Sequence, residues 1–189
     1  ASDINEQHSY IKAAEEKNYK VLLLDSPIIS HLIQKLETKK EKISFVRVDG
    51  DSIENLIKKD EDIVSKLSDK EREKLKPLIE KVIPSEKYTV KLEPMDSKAM
   101  PFILIQPEFM RRMKEMQQTG GGMMGSFPEM HTLIVNTNHT IVGQILNSKT
   151  PKKRENLINQ ALDLAKLSQN LLKGEELTEF INRSLKMVK

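Results

Sequence analysis

Cysteine is absent from this sequence, which removes thiolate nucleophiles, thiolate metal ligands and disulfides. Any chemistry must then come from histidines, carboxylates or glycine loops. The four histidines, His8, His31, His131 and His139, show none of the short intervals by which two imidazoles share a zinc ion, and H-E-x-x-H does not occur. His31 falls on the apolar stripe of a helix and reads as structural. Asp49-Gly50-Asp51 reads as a turn and lacks the remaining oxygen ligands of a calcium loop. Gly120-Gly121-Gly122 is not followed by Gly-Lys-Ser/Thr, and the run before it is helical, so no phosphate cradle is encoded. Asp60-Glu61-Asp62 reads as a solvated acidic face, and no G-x-S-x-G elbow is present. The expectation is a chain without catalytic, metal-binding or cofactor-binding residues of its own.

The balance of charge narrows the partners. The chain has 189 residues, 31% charged and 38% hydrophobic, with a net charge of only +3, enough for one large or two small domains. Basic residues alternate with acidic ones, as in Lys70-Glu71-Arg72-Glu73-Lys74. Lys152-Lys153-Arg154 is the one compact basic cluster. A nucleic-acid surface needs unneutralised cations, often with stacking aromatics, and here they are missing. No apolar run of about 18 residues is long enough to span a membrane, and residues 1–6 lack the pattern of a signal peptide. The expected partners include neither nucleic acid nor membrane, and the expected location is the cytoplasm.

The elements alternate at first. Residues 9–17 suit a helix, 19–24 (Tyr-Lys-Val-Leu-Leu-Leu) a strand, and Asp25-Ser26-Pro27 opens a helix carrying Ile28, Ile29, Leu32, Ile33 and Leu36. Residues 43–48 then read as a second strand, completing a small βαβ unit. An acidic, lysine-rich linker follows over 51–69. Ser68-Asp69-Lys70-Glu71 has the capping-box pattern and predicts a helix to about Val82. Strands are predicted at 87–93, with Tyr88, Val90 and Leu92 on one face, at 101–106 and at 131–135. Two helices, over 151–172 and 175–188, end the chain. The fold class is α/β followed by α+β: a three-stranded sheet with helices and a terminal helical hairpin.

Two segments carry the functional signal. Over residues 107–117, Phe109, Met110, Met113 and Met116 share one helical face and Arg111, Arg112, Lys114 and Glu115 the other. Glycines and Met123-Met124 follow, and four of the seven glycines and five of the nine methionines fall between 110 and 125. Methionine on a glycine-rich tether adapts to many apolar partners; equally, such a stripe fills a core. In the terminal pair, Leu157, Ile158, Ala161, Leu162, Leu164, Ala165, Leu171 and Leu172 cover an arc of roughly 200° at 100° per residue. A helix packing on one core needs about half of that. Leu177, Phe180, Ile181 and Leu185 form a stripe on the second helix. Such a hairpin can pair with its copy as a four-helix bundle, or it can complete a monomeric regulatory or ligand-binding domain.

In the order and spacing of its motifs the chain resembles the ninety-kilodalton heat-shock chaperone family, in its bacterial branch. The resemblance rests on Tyr19-Lys20-Val21-Leu22-Leu23-Leu24-Asp25-Ser26-Pro27-Ile28, Lys76-Pro77-Leu78-Ile79 and Phe109-Met110-Arg111-Arg112-Met113. It is strongest in Leu133-Ile134-Val135-Asn136-Thr137-Asn138-His139-Thr140-Ile141-Val142 and Ala161-Leu162-Asp163-Leu164-Ala165. It implies that residues 1–58 are the tail of a middle domain and 59–189 a C-terminal dimerisation domain, giving a homodimer through the terminal helices. It also implies that the segment carrying Phe109, Met110, Met113, Met116, Met123 and Met124 binds unfolded client proteins. ATP and magnesium would bind the full-length protein elsewhere, leaving this part without enzymatic activity.

Overall fold

The computed structural model describes residues 3–26, 29–40, 43–57, 63–106 and 130–187. They form two compact units, Ala1–Lys59 and Asp60–Lys189.

In the first unit, α1 (His8–Glu16) buries Ala14. It stops where Asn18 takes left-handed backbone, φ 61°. The amides of Asn18 and Tyr19 return to the Glu15 and Ala14 carbonyls at 2.8 and 3.0 Å. This is a Schellman ending, with asparagine in the place usually given to glycine. Helices α2 (Ile29–Lys39) and α3 (Ile53–Leu56) follow. Polar cross-links tie the unit together: Gln7 Nε2 donates to Asp49 at 2.6 Å, Arg47 grips the same carboxylate through two nitrogens at 2.8 Å, and Lys17 meets Glu54 at 2.8 Å. Arg47 and Gln7 hold the Asp49 carboxyl below its ordinary value although burial pushes it up.

The predicted βαβ unit meets only its helix. Residues 19–24 and 43–48 form no strand, and Leu22, Leu23, Ile43 and Val46 are exposed. Two short parallel strands have no stability as an isolated pair: they need further strands beside them and cover on their faces.

Among its described residues, the second unit forms the predicted helix after Ser68, the three predicted strands and the terminal pair of helices, with one further short helix between them. Helix α4 (Asp69–Glu80) opens with the expected capping box, the Glu71 carboxylate accepting from the Ser68 amide at 2.8 Å and from its hydroxyl at 2.7 Å. Strands β1 (Tyr88–Glu93), β2 (Phe102–Ile105) and β3 (His131–Asn136) make a sheet of order β1-β3-β2, with β1 parallel and β2 antiparallel to β3. Val90 and Leu104 both pair with Leu133, and Phe102 with Val135. Alternation along the strands sends these side chains to one face. There they join Leu75 and Ile79 of α4 and the buried residues of α5 (Thr140–Asn147) and α6 (Pro151–Leu167) in one core. Ile134 and Ile105 pack on the other face with Met95. A last helix, α7 (Gly174–Met187), follows.

The turn after β3 is bolted by side-chain amides. Asn136 Oδ1 accepts from the amides of Met95 (3.2 Å) and Asn138 (3.0 Å), while its Nδ2 donates to the Asp96 carbonyl at 2.7 Å. Asn138 Nδ2 donates to the Val64 and Met95 carbonyls, both at 3.1 Å, and its Oδ1 accepts from Lys66 at 2.7 Å. The Ser65 and Thr137 hydroxyls meet at 2.9 Å. His139 then caps α5, its Nδ1 accepting from the Ile141 amide at 3.1 Å.

Candidate functional site

Among the described residues of the second unit, the α6–α7 hairpin leaves Leu167, Leu171, Ile181 and Leu185 exposed. Pro151 suits the first turn of α6, where its missing amide hydrogen has no partner to lose. The helix stops at Leu167 instead of running on to 172 because Asn170 takes left-handed backbone, φ 56°. The amides of Asn170 and Leu171 return to the Leu167 and Lys166 carbonyls at 3.1 and 2.9 Å. Gly174, φ 58°, turns the chain into α7; a side chain there would meet open space, so backbone conformation is what selects glycine.

Two apolar rows run along α6. Ile158, Ala161, Leu162 and Ala165 are at most 4% exposed and belong to the chain's own core. The second row is Leu157, Leu164 and Leu167, spaced by seven and three residues around the helix, with Leu171 following beyond its end. Leu157 and Leu164 are half-buried, and Leu167 and Leu171 remain 44% and 38% exposed. On α7, Leu177 and Phe180 are half-buried, whereas Ile181 and Leu185 are 48% and 63% exposed. Among the described residues, α7 supplies no side chain to the core.

What joins α7 to α6 includes a polar set. Arg183 Nε donates to Gln160 Oε1 at 3.0 Å, and another guanidinium nitrogen meets the Asp163 carboxylate. Gln160 Nε2 donates to the Ser184 hydroxyl at 3.0 Å, and Lys166 reaches Glu176 at 3.2 Å and Asp163 at 3.7 Å. Burial pushes the Asp163 carboxyl above its ordinary value although Lys166 and Arg183 pull it down. The Tyr88 hydroxyl, beside Lys166, is also raised by burial.

The sequence-predicted pairing residues therefore divide. Ile158, Ala161, Leu162, Ala165 and Leu172 are buried within the chain and have no surface to offer. Leu171, Ile181 and Leu185 are open, with Leu157, Leu164, Leu177 and Phe180 at the border. Leu167 was missed; its place three residues after Leu164 on the second row was the signal. The polar set was missed as well, because 10 to 24 residues separate the partners that meet across the hairpin. Phe109, Met110, Met113, Met116, Met123 and Met124 lie outside the described residues. Among the described residues no cluster of His, Asp or Glu could hold a metal ion, and no helix is long and apolar enough to cross a membrane.

No family model matches the sequence. Curated relatives do match. A protein named Chaperone protein HtpG from Porphyromonas gingivalis is 31% identical over 257 residues, covering 100% of this chain and 38% of the relative. Chaperone proteins HtpG from Bacteroides thetaiotaomicron and Bacteroides fragilis are 28% identical with the same coverage. This chain spans well under half the length of these relatives. The matched span of 257 residues against 189 here means that the relatives also carry sequence inside that span which this chain lacks.

Proposed function

This chain is homologous along its whole length to the HtpG chaperones, and from that premise we propose that it is the C-terminal part of an ATP-dependent heat-shock chaperone, the place where two copies join. Residues 1–58 are the tail of the middle domain and 59–189 the dimerisation domain. The hairpin of α6 and α7 packs against its copy as a four-helix bundle. One observation carries the reading: Leu167, Leu171, Ile181 and Leu185 stand open on a hairpin whose second helix stays out of the core. Covering each recovers about 1 kcal/mol, roughly half the value for full burial of such a side chain. A closed twofold arrangement doubles the set with no unpaired surface left to propagate.

Joining two protomers raises the effective concentration of whatever else each carries, which an ATP-driven cycle in the full-length protein exploits. In that protein, ATP and magnesium belong to parts outside these 189 residues. The apolar face of Phe109, Met110, Met113 and Met116, with Met123 and Met124 beyond it, takes unfolded or partly folded clients in the cytoplasm. Replacing Ile181→Asp together with Leu185→Asp tests the first claim: the dimer should fall apart while the circular dichroism of the single chain stays unchanged. Met110→Ser with Met113→Ser tests the second. Capture of an unfolded protein should weaken with the melting temperature held; a large fall in melting temperature would place those side chains in the core instead.

A further inference from the structure

Of the polar set between α6 and α7, Arg183 and Glu176 lie on the flank of α7 away from its open residues. Arg183 is two positions from Ile181 and two from Leu185, and at 100° per residue this puts it nearly opposite both. Its guanidinium spans two acceptors on α6, Gln160 Oε1 at 3.0 Å and the Asp163 carboxylate. The side chains of Asp163 and Arg183 are only 13% and 21% exposed. A planar fork held by two acceptors on a neighbouring helix fixes rotation about the helix axis, which a slippery apolar contact does not.

The energetics point the same way. Desolvation of a buried ion pair often cancels its attraction, so such a pair is weak evidence for stability and better evidence for a specified geometry. Here the Asp163 carboxyl sits above its ordinary value with two cations beside it, so burial outweighs pairing.

We infer that Asp163, Gln160 and Arg183 form a rotational lock that sets the azimuth of α7 and so turns Ile181 and Leu185 outward to meet a second copy. Arg183 and Asp163 are positioning residues: they do not form the apolar surface but decide where it faces. This rests on the reading of the hairpin as the pairing surface. The lock itself, however, lies within one chain and is measurable without a partner.

The test uses Arg183→Met and the conservative Arg183→Lys in the 189-residue chain. Amide exchange is followed at a dilution where every chain is single, and sedimentation equilibrium at higher concentration. With Arg183→Met, the amides of α7 should exchange at least tenfold faster while those of β3, deep in the core, stay within twofold. The dimer dissociation constant should rise at least tenfold. Arg183→Lys, which keeps the charge, should recover more than half of both effects on a logarithmic scale. Exchange of α7 within twofold of the unmodified chain overturns the lock, and so does faster exchange that spreads equally to β3. An unmodified chain that stays single at every concentration removes the pairing reading; the exchange of α7 then decides the lock alone.

Discussion

Helices α4 and α7 are of similar length, and each carries an apolar stripe against a charged face, yet they end in opposite situations. In α4 the stripe goes inward: Leu75 and Ile79 are fully buried beneath the sheet. In α7 part of the stripe stays outside, Ile181 and Leu185 open to solvent, while a half-buried arginine holds the far flank. Amphipathic spacing thus says that a face wants cover but not whose cover it gets. The neighbours decide. Helix α4 lies over a sheet face that needs closing. Helix α7 lies over a flank of α6 that presents Gln160, Asp163 and Lys166.

That difference can be broken by substitution. The largest effect is expected at Ile79→Ala, which empties a fully buried site and should cost about 2–5 kcal/mol in denaturant unfolding. Next comes Asn138→Ala. It strands the Lys66 amide and the Val64 and Met95 carbonyls, and should cost about 1–3 kcal/mol by the same measurement.

A smaller effect is expected from pH. Burial lowers the pKa of His139 from its ordinary 6.5, so the folded chain prefers the neutral ring, whose Nδ1 accepts from Ile141. The stabilising contribution is complete above pH 6.5 and drains away as the pH falls below it, because the unfolded chain then takes up the proton first. His139→Asn keeps a capping acceptor and should flatten that part of the stability curve; an unchanged curve would remove His139 as its source. Last, Leu185→Ala at a dilution where the chain is single should change stability by no more than about 0.5 kcal/mol. A cost near that of Ile79→Ala would mean that α7 shares the core after all.

The sequence was legible where the signal is local. Ser68 and Glu71 announce the start of α4, the alternation of Tyr88, Val90 and Leu92 marks β1, and the broad arc on α6 resolves into a core row and a half-open row. Helix α5 went unread although Ile141, Val142, Ile145 and Leu146 have helical spacing. Eight residues pressed between a strand and a long helix give too short a pattern to stand out. The amide bolts of Asn136 and Asn138 reach partners 40 to 74 residues away, so no window along the chain contains both ends. Residues 19–24 and 43–48 have strand composition, but composition does not supply the neighbouring strands that a parallel ladder needs.

The central claim is that a second copy covers the open face of the hairpin. Sedimentation equilibrium of the unmodified chain from nanomolar to tens of micromolar tests it most directly. A reversible shift from 21.7 kDa to twice that mass is expected, lost when Ile181 and Leu185 become aspartates. A single species of 21.7 kDa across the whole range would contradict it.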